Sequence, residues 1–144
     1  MTYYNWQKAT KADGLKFRKE SPNMVQLKDH LLKTWGGSSL GIYSKRAVRG
    51  GVAPSSHSFG AALDWRHGTR RTSLAAMAFM IKNHELLGVQ MIVDYIGCRV
   101  WIAGRGWKVA EANAKTGMGA SWAKWVHVET TKVDWANNKP IVNR

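Results

Sequence analysis

The chain has 144 residues, 44% of them hydrophobic and 22% charged, enough apolar material for one core and too little length for two independent ones. Its formal net charge of +13 predicts attraction to polyanions (nucleic acid, anionic lipid surfaces or acidic cell-wall polymers) without choosing among them. The single cysteine, Cys98, excludes an internal disulfide and a cysteine-cluster metal site, and no apolar run reaches the ~20 residues that span a bilayer.

Residues 1–20 carry Lys8, Lys11, Lys16, Arg18 and Lys19 and read as a basic, irregular N-terminal arm. They lack the continuous apolar stretch of a secretory signal, so the protein is expected in the cytoplasm unless another factor releases it. Ser21-Pro22 reads as a helix start, with Met24, Leu27, Leu31 and Trp35 at helical spacing and Gly36-Gly37 as the stop. A short strand is predicted around Leu40 to Tyr43, and a second from Ala61 to Trp65. Thr72 or Ser73 is expected to cap a helix running to about Leu87. Its run LAAMAFMI is apolar on nearly every side and predicts a buried helix. The runs 89–95 and 99–103 read as a hairpin with Gly97 in the turn. A Gly- and Ala-rich connection over 104–121 leads to a last strand from Trp125 to Thr131. The tail after Trp135 is polar and expected to be loose. Together these elements predict one α+β domain over 1–144, a small antiparallel sheet with flanking helices, its core within 21–131.

The strongest chemical signal is Ser55-Ser56-His57-Ser58-Phe59-Gly60-Ala61-Ala62-Leu63-Asp64. It fits Ser-x-His-x-x-Gly-x-Ala-x-Asp at every fixed position, a coincidence expected by chance on the order of once in ten thousand sequences from average residue usage. A loop presents His57, Gly60 allows a tight turn, and the strand returns Asp64 beside the imidazole. An imidazole and a carboxylate offered together suit zinc, and a third ligand must come from elsewhere. His127 is the best supplier, because strand alternation puts His127 and Glu129 on one face and Val126 and Val128 on the other. Two histidines and one aspartate leave a fourth tetrahedral position open for water, as in catalytic zinc sites.

These residues resemble the D-alanyl-D-alanine carboxypeptidase family of zinc peptidases, whose fold the hedgehog signalling domain shares and which includes many phage endolysin domains. The first motif matches in full, and a looser likeness runs through 99–107 to 125–129. The resemblance implies zinc held by His57, Asp64 and His127 and a substrate among the peptides of peptidoglycan. It also implies a supporting role for the Ser55 hydroxyl and a contact from Arg49 to a substrate carboxylate or carbonyl; a turn former and a surface charge are the plain alternatives.

Two positions depart from the family pattern. Lys124 stands where an Asp or Glu acts as general base, and a protonated lysine cannot accept a proton. Trp125 stands where phage-type members carry His. Glu129 is therefore the expected base, with Glu111 and Glu85 as alternatives. If no carboxylate serves, the chain becomes a zinc-containing binding module for the cell wall or another polyanion. A nucleic-acid-binding protein is supported by charge alone. His30 and His84 read as surface residues, and His67 as a surface residue or a member of the site. Of the eight tryptophans, Trp101 reads as core, while Trp107, Trp122 and Trp125 are candidates for a stacking platform near the cleft. The chain is expected to be a monomer.

Overall fold

In the computed structural model, which describes residues 3–9, 16–44 and 55–144, helix α1 (Pro22–Trp35) begins where its sequence says it should. The Ser21 hydroxyl accepts the Met24 amide and Pro22 fills the first turn. Met24, Leu27 and Leu31 are fully buried along one stripe, and the helix ends at Gly36, whose φ of 76° suits a residue without Cβ. The strands are β1 (Ser38–Gly41), β2 (Ala62–Arg66), β3 (Val89–Asp94), β4 (Arg99–Ile102), β5 (Gly106–Val109) and β6 (Trp125–Thr130). They form one six-stranded sheet in the order β1-β2-β6-β3-β4-β5, with every neighbouring pair antiparallel. The arrangement is α+β.

The two faces of the sheet divide the labour. Leu63 and Trp65 of β2, Ile92 of β3 and Val126 and Val128 of β6 join the core beneath α1 and α2 (Arg70–Lys82). Each such side chain contributes about 1.5–3 kcal/mol by leaving water. Their alternating neighbours, Asp64, Val93, His127 and Glu129, line a cleft on the opposite face.

Several elements differ from the sequence reading. The cap of α2 is Thr69, not Thr72 or Ser73. Thr69 and Thr72 bond each other's backbone reciprocally, so the first threonine takes the cap and the second closes the box. The helix stops at Lys82, and a separate short helix, α3 (His84–Leu87), follows Asn83. Nor is α2 buried all round: Ser73, Ala76, Met77 and Met80 face inward, while Leu74 is 44% exposed. Strand β5 lies inside the stretch read as a connection, with Trp101 paired to Trp107 and Ile102 to Gly106.

The chain ends also pack more than their composition implies. Trp6 is buried in a second cluster with Phe59, Ala61 and Trp135, and its indole N–H donates to the Thr130 carbonyl at 2.9 Å. The tail is not loose. Ile141 joins the main core, and Arg144 donates to the Asn23 side-chain carbonyl at 2.6 Å. No helix among the described residues is long and apolar enough to cross a membrane.

Candidate metal centre

Three elements bring the site together. Asp64 on β2 lies directly opposite His127 on β6, and Ala62 directly opposite Glu129, so one register sets both pairs side by side on the cleft face. His57 comes from a 3-10 turn at Ser56–Phe59 that Ser55 caps, its hydroxyl accepting the His57 amide. Gly60 ends that turn with φ 58°. A Cβ there would lie 1.6 Å from the Lys19 carbonyl oxygen, while the Gly60 carbonyl accepts the Ser21 amide at 2.9 Å. Glycine is needed both for the left-handed backbone and for the close passage of residues 19–21.

The ligand atoms converge on Asp64. His57 Nε2 is 3.1 Å from Asp64 Oδ2, and His127 Nδ1 is 3.2 Å from Asp64 Oδ1. One donor atom from each residue lies within 4.8 Å of the others. His57 Nδ1 sits 2.8 Å from the Ile42 carbonyl oxygen, which can only accept, so Nδ1 carries the proton and Nε2 presents a lone pair. That buried Nε2 makes no hydrogen bond, although it faces a carboxylate oxygen. A lone pair this close to a carboxylate oxygen is relieved by a positive charge between them, either a proton or a metal ion, and one donor atom from each of the three residues is placed to hold the latter. On the far side of the other ring, His127 Nε2 is 2.9 Å from Glu129 Oε2 and 3.3 Å from the Ser56 hydroxyl. An outer carboxylate that fixes the tautomer and orientation of a ligand histidine is the usual support of a metal site.

The charges agree with the geometry. Burial pushes the Asp64 carboxyl up, but the His127 and His57 imidazoles beside it outweigh burial and hold the group well below the usual carboxylate range. Burial likewise favours neutral His127, yet Asp64 and Glu129 raise its pKa well above the ordinary histidine value. Without a metal, the imidazole between two carboxylates therefore holds a proton; a cation at the Asp64 side takes that proton's place.

The cleft has a volume of about 220 Å³, and its lining includes Ser55, His57, Asp64, His127 and Glu129. Ser55 thus acts as a cap at the site's edge. Arg49 lies outside the described residues. Glu85 and Glu111 do not line the cleft; Glu85 sits on α3 and Glu111 is exposed in the loop after β5. Lys124 is exposed just ahead of β6 and is absent from the lining. Trp125 lines the cleft, Trp122 is 58% exposed beside it, and Trp101 is core. Trp107 is elsewhere, with the Arg99 guanidinium 3.8 Å over its ring.

His67 is neither at the surface nor in the cleft. It is buried at the end of β2, where its amide bonds the Lys124 carbonyl and its ring packs against Trp65; burial lowers its pKa. His30 and His84 are half-buried, against Phe79 and Trp101 respectively. Sequence reasoning missed Gln7, Ser56, Met91, Val93, Tyr95 and Thr116 in the lining. The alternation of 91 and 93 along β3, continued by 95 just beyond it, could have revealed three of these, whereas Gln7 and Thr116 arrive by folding and carry no local signal. Burial, then the Glu129 charge, raises the pKa of Tyr3.

No family model, curated protein or solved structure matches this chain.

Proposed function

We propose that the protein is a zinc-dependent peptidase that cuts a peptide bond in bacterial cell-wall peptidoglycan, with the fold of the D-alanyl-D-alanine carboxypeptidase and hedgehog group. The carrying observation is the buried His57 Nε2, a lone pair held 3.1 Å from Asp64 with no hydrogen bond, completed by His127 Nδ1 on the same carboxylate. Two histidines and one aspartate form a ligand set typical of zinc with a position left open. Bound there, zinc supplies Lewis acidity, polarising a carbonyl and lowering the pKa of water toward ~7.

The remaining work falls to the chain's own side chains. The Ile42 backbone carbonyl and the Glu129 carboxylate fix the two imidazoles so that each offers its lone pair inward. Apart from Asp64, Glu129 is the one carboxylate in the cleft lining among the described residues, so it is the proton acceptor. One oxygen holds His127, and an ionised carboxylate has lone pairs to spare for a second proton. Arg49 is assigned to the substrate carboxylate through paired hydrogen bonds. The surplus of positive charge favours retention on anionic wall polymers at low salt.

A second reading, a zinc-containing binding module for the cell wall, draws on Lys124 and on the engagement of Glu129 with His127. Digestion of purified cell walls separates the two. The peptidase reading predicts release of amino groups that stops with a chelator and returns with zinc. A protein that carries full zinc and holds the wall but cleaves nothing is the binding module.

A further inference from the structure

We propose that Tyr95, Trp125 and Trp122 form a carbohydrate-binding ladder leading out of the metal cleft, on which the glycan strand of the substrate lies; this rests on the cell-wall reading above. Tyr95 and Trp125 line the cleft beside the ligand side chains. Their ring centroids are 5.1 Å apart, and Trp125 is followed by Trp122 at 5.8 Å, both pairs tilted by 46°. The three rings form a continuous apolar run from the metal site to the surface, where Trp122 is 58% exposed.

Trp122 is held in this position. A Cβ on Gly117 would stand 3.1 Å from the tip of the Trp122 ring and 3.1 Å from the Ala123 methyl, so the indole packs closely over the Gly117 backbone. Gly117 has φ +86°, and its carbonyl accepts the Ala120 amide at 2.9 Å, closing the loop that carries Trp122. An exposed indole packed along one edge against Gly117 and Trp125 loses less freedom on binding than a free one, which favours binding. Exposed, braced aromatic rings are the usual anchors of recognition surfaces.

The chemistry fits a sugar chain. A pyranose ring presents an apolar C–H face with hydroxyls around its rim. The electron-rich face of an indole or phenol attracts such C–H groups, while water keeps the rim solvated. Ser121 and Lys124 flank Trp122 and are exposed, offering a hydroxyl and a cation to sugar hydroxyls and to carboxylates on an acidic sugar. A basic surface with aromatic rungs also suits single-stranded nucleic acid. The ladder begins inside the cleft, however, so its occupant is continuous with whatever reaches His57, Asp64 and His127. The glycan of a peptidoglycan fragment meets that condition, joined to the peptide that the site would cut.

The test uses zinc-loaded full-length protein, with tryptophan fluorescence to follow two probes: N-acetylglucosamine oligomers without peptide, and oligo-dT. Wild type is expected to bind the sugar oligomers. Trp122→Ala should weaken that binding by about 3- to 10-fold, the scale of one aromatic contact, with zinc content and melting temperature unchanged. Trp122→Phe should recover part of the loss. Failure of wild type to bind the oligomers, or equal binding by Trp122→Ala, overturns the ladder. So does a Trp122-dependent affinity for oligo-dT with none for sugar. Wall hydrolysis by a protein that ignores the sugar leaves the peptidase reading intact and removes this inference; sugar binding by a protein that cleaves nothing does the reverse.

Discussion

Replacing Glu129 by glutamine tests how the site is supported. The substitution keeps size and an acceptor oxygen but removes the charge that faces His127 Nε2 at 2.9 Å in a nearly closed environment. Loss of such an outer partner typically costs about 10–100-fold in metal affinity, or about 1.4–2.7 kcal/mol at 1.36 kcal/mol per tenfold. The pH dependence carries a sign. In the metal-free protein, burial opposes a charge on His127, but Asp64 and Glu129 raise its pKa well above the ordinary value. Zinc must displace that proton, so wild-type affinity rises with pH until the raised pKa is passed. Glu129→Gln lowers that pKa, so the variant faces less proton competition at neutral pH and reaches its plateau earlier. The wild-type advantage is therefore partly masked near pH 7 and grows toward pH 9. Competition titration against a zinc-binding dye at both values measures it. An affinity ratio that is unity at pH 9, or that shrinks as pH rises, would refute this account of His127.

Three further outcomes concern the scaffold. Gly60→Ala should lower stability by more than ~1–2 kcal/mol, the cost of a left-handed alanine alone, because its Cβ also meets the Lys19 carbonyl. Chemical denaturation measures that loss, and a neutral result would mean that residues 19–21 do not pass over the turn. Trp6→Ala removes a buried indole from the second cluster and should cost about 3–5 kcal/mol; a change in urea midpoint worth under ~1 kcal/mol would show that the N-terminal segment is not docked. Burial pushes the Asp94 carboxyl up, but hydrogen bonds from Arg70, Arg99 and the Gly97 amide hold it below the usual value of 3.8. Its contribution is thus fully present above pH 3.8 and lost as pH falls through the lower folded value. Denaturation midpoints of Asp94→Asn should accordingly depend less on acid than those of wild type, and parallel curves would contradict the assignment.

Much of the site could be read from local spacing, because the turn from His57 to Asp64 is contiguous and because a strand alternates faces regardless of its partners. His127 and Glu129 share the cleft face for that reason. The register that sets Asp64 opposite His127 is a long-range fact, as is the Ile42 carbonyl that fixes the His57 tautomer. Neither has a local signature. Composition misled where it stood in for packing. A basic N-terminus still docks around a buried tryptophan, Trp6, and a polar tail around a buried isoleucine, Ile141. The apolar run on α2 implied burial on all sides, but the sheet has room for one face, and Leu74 remains outside. Strand β5 escaped notice because GWKV is short and begins among the glycines at 104 and 106, and its strand state depends on pairing with β4.

The central claim is that His57, Asp64 and His127 hold a metal ion, and metal analysis of purified protein tests it most directly. After incubation with zinc and removal of excess, wild type is predicted to retain about one zinc per chain and to melt at a higher temperature than the chelated protein, since ligand binding to the folded state stabilises it. His57→Ala and Asp64→Ala are each predicted to lose the ion and the thermal shift together. A wild type that retains no zinc, or an Asp64→Ala variant that retains as much as wild type, would contradict the account.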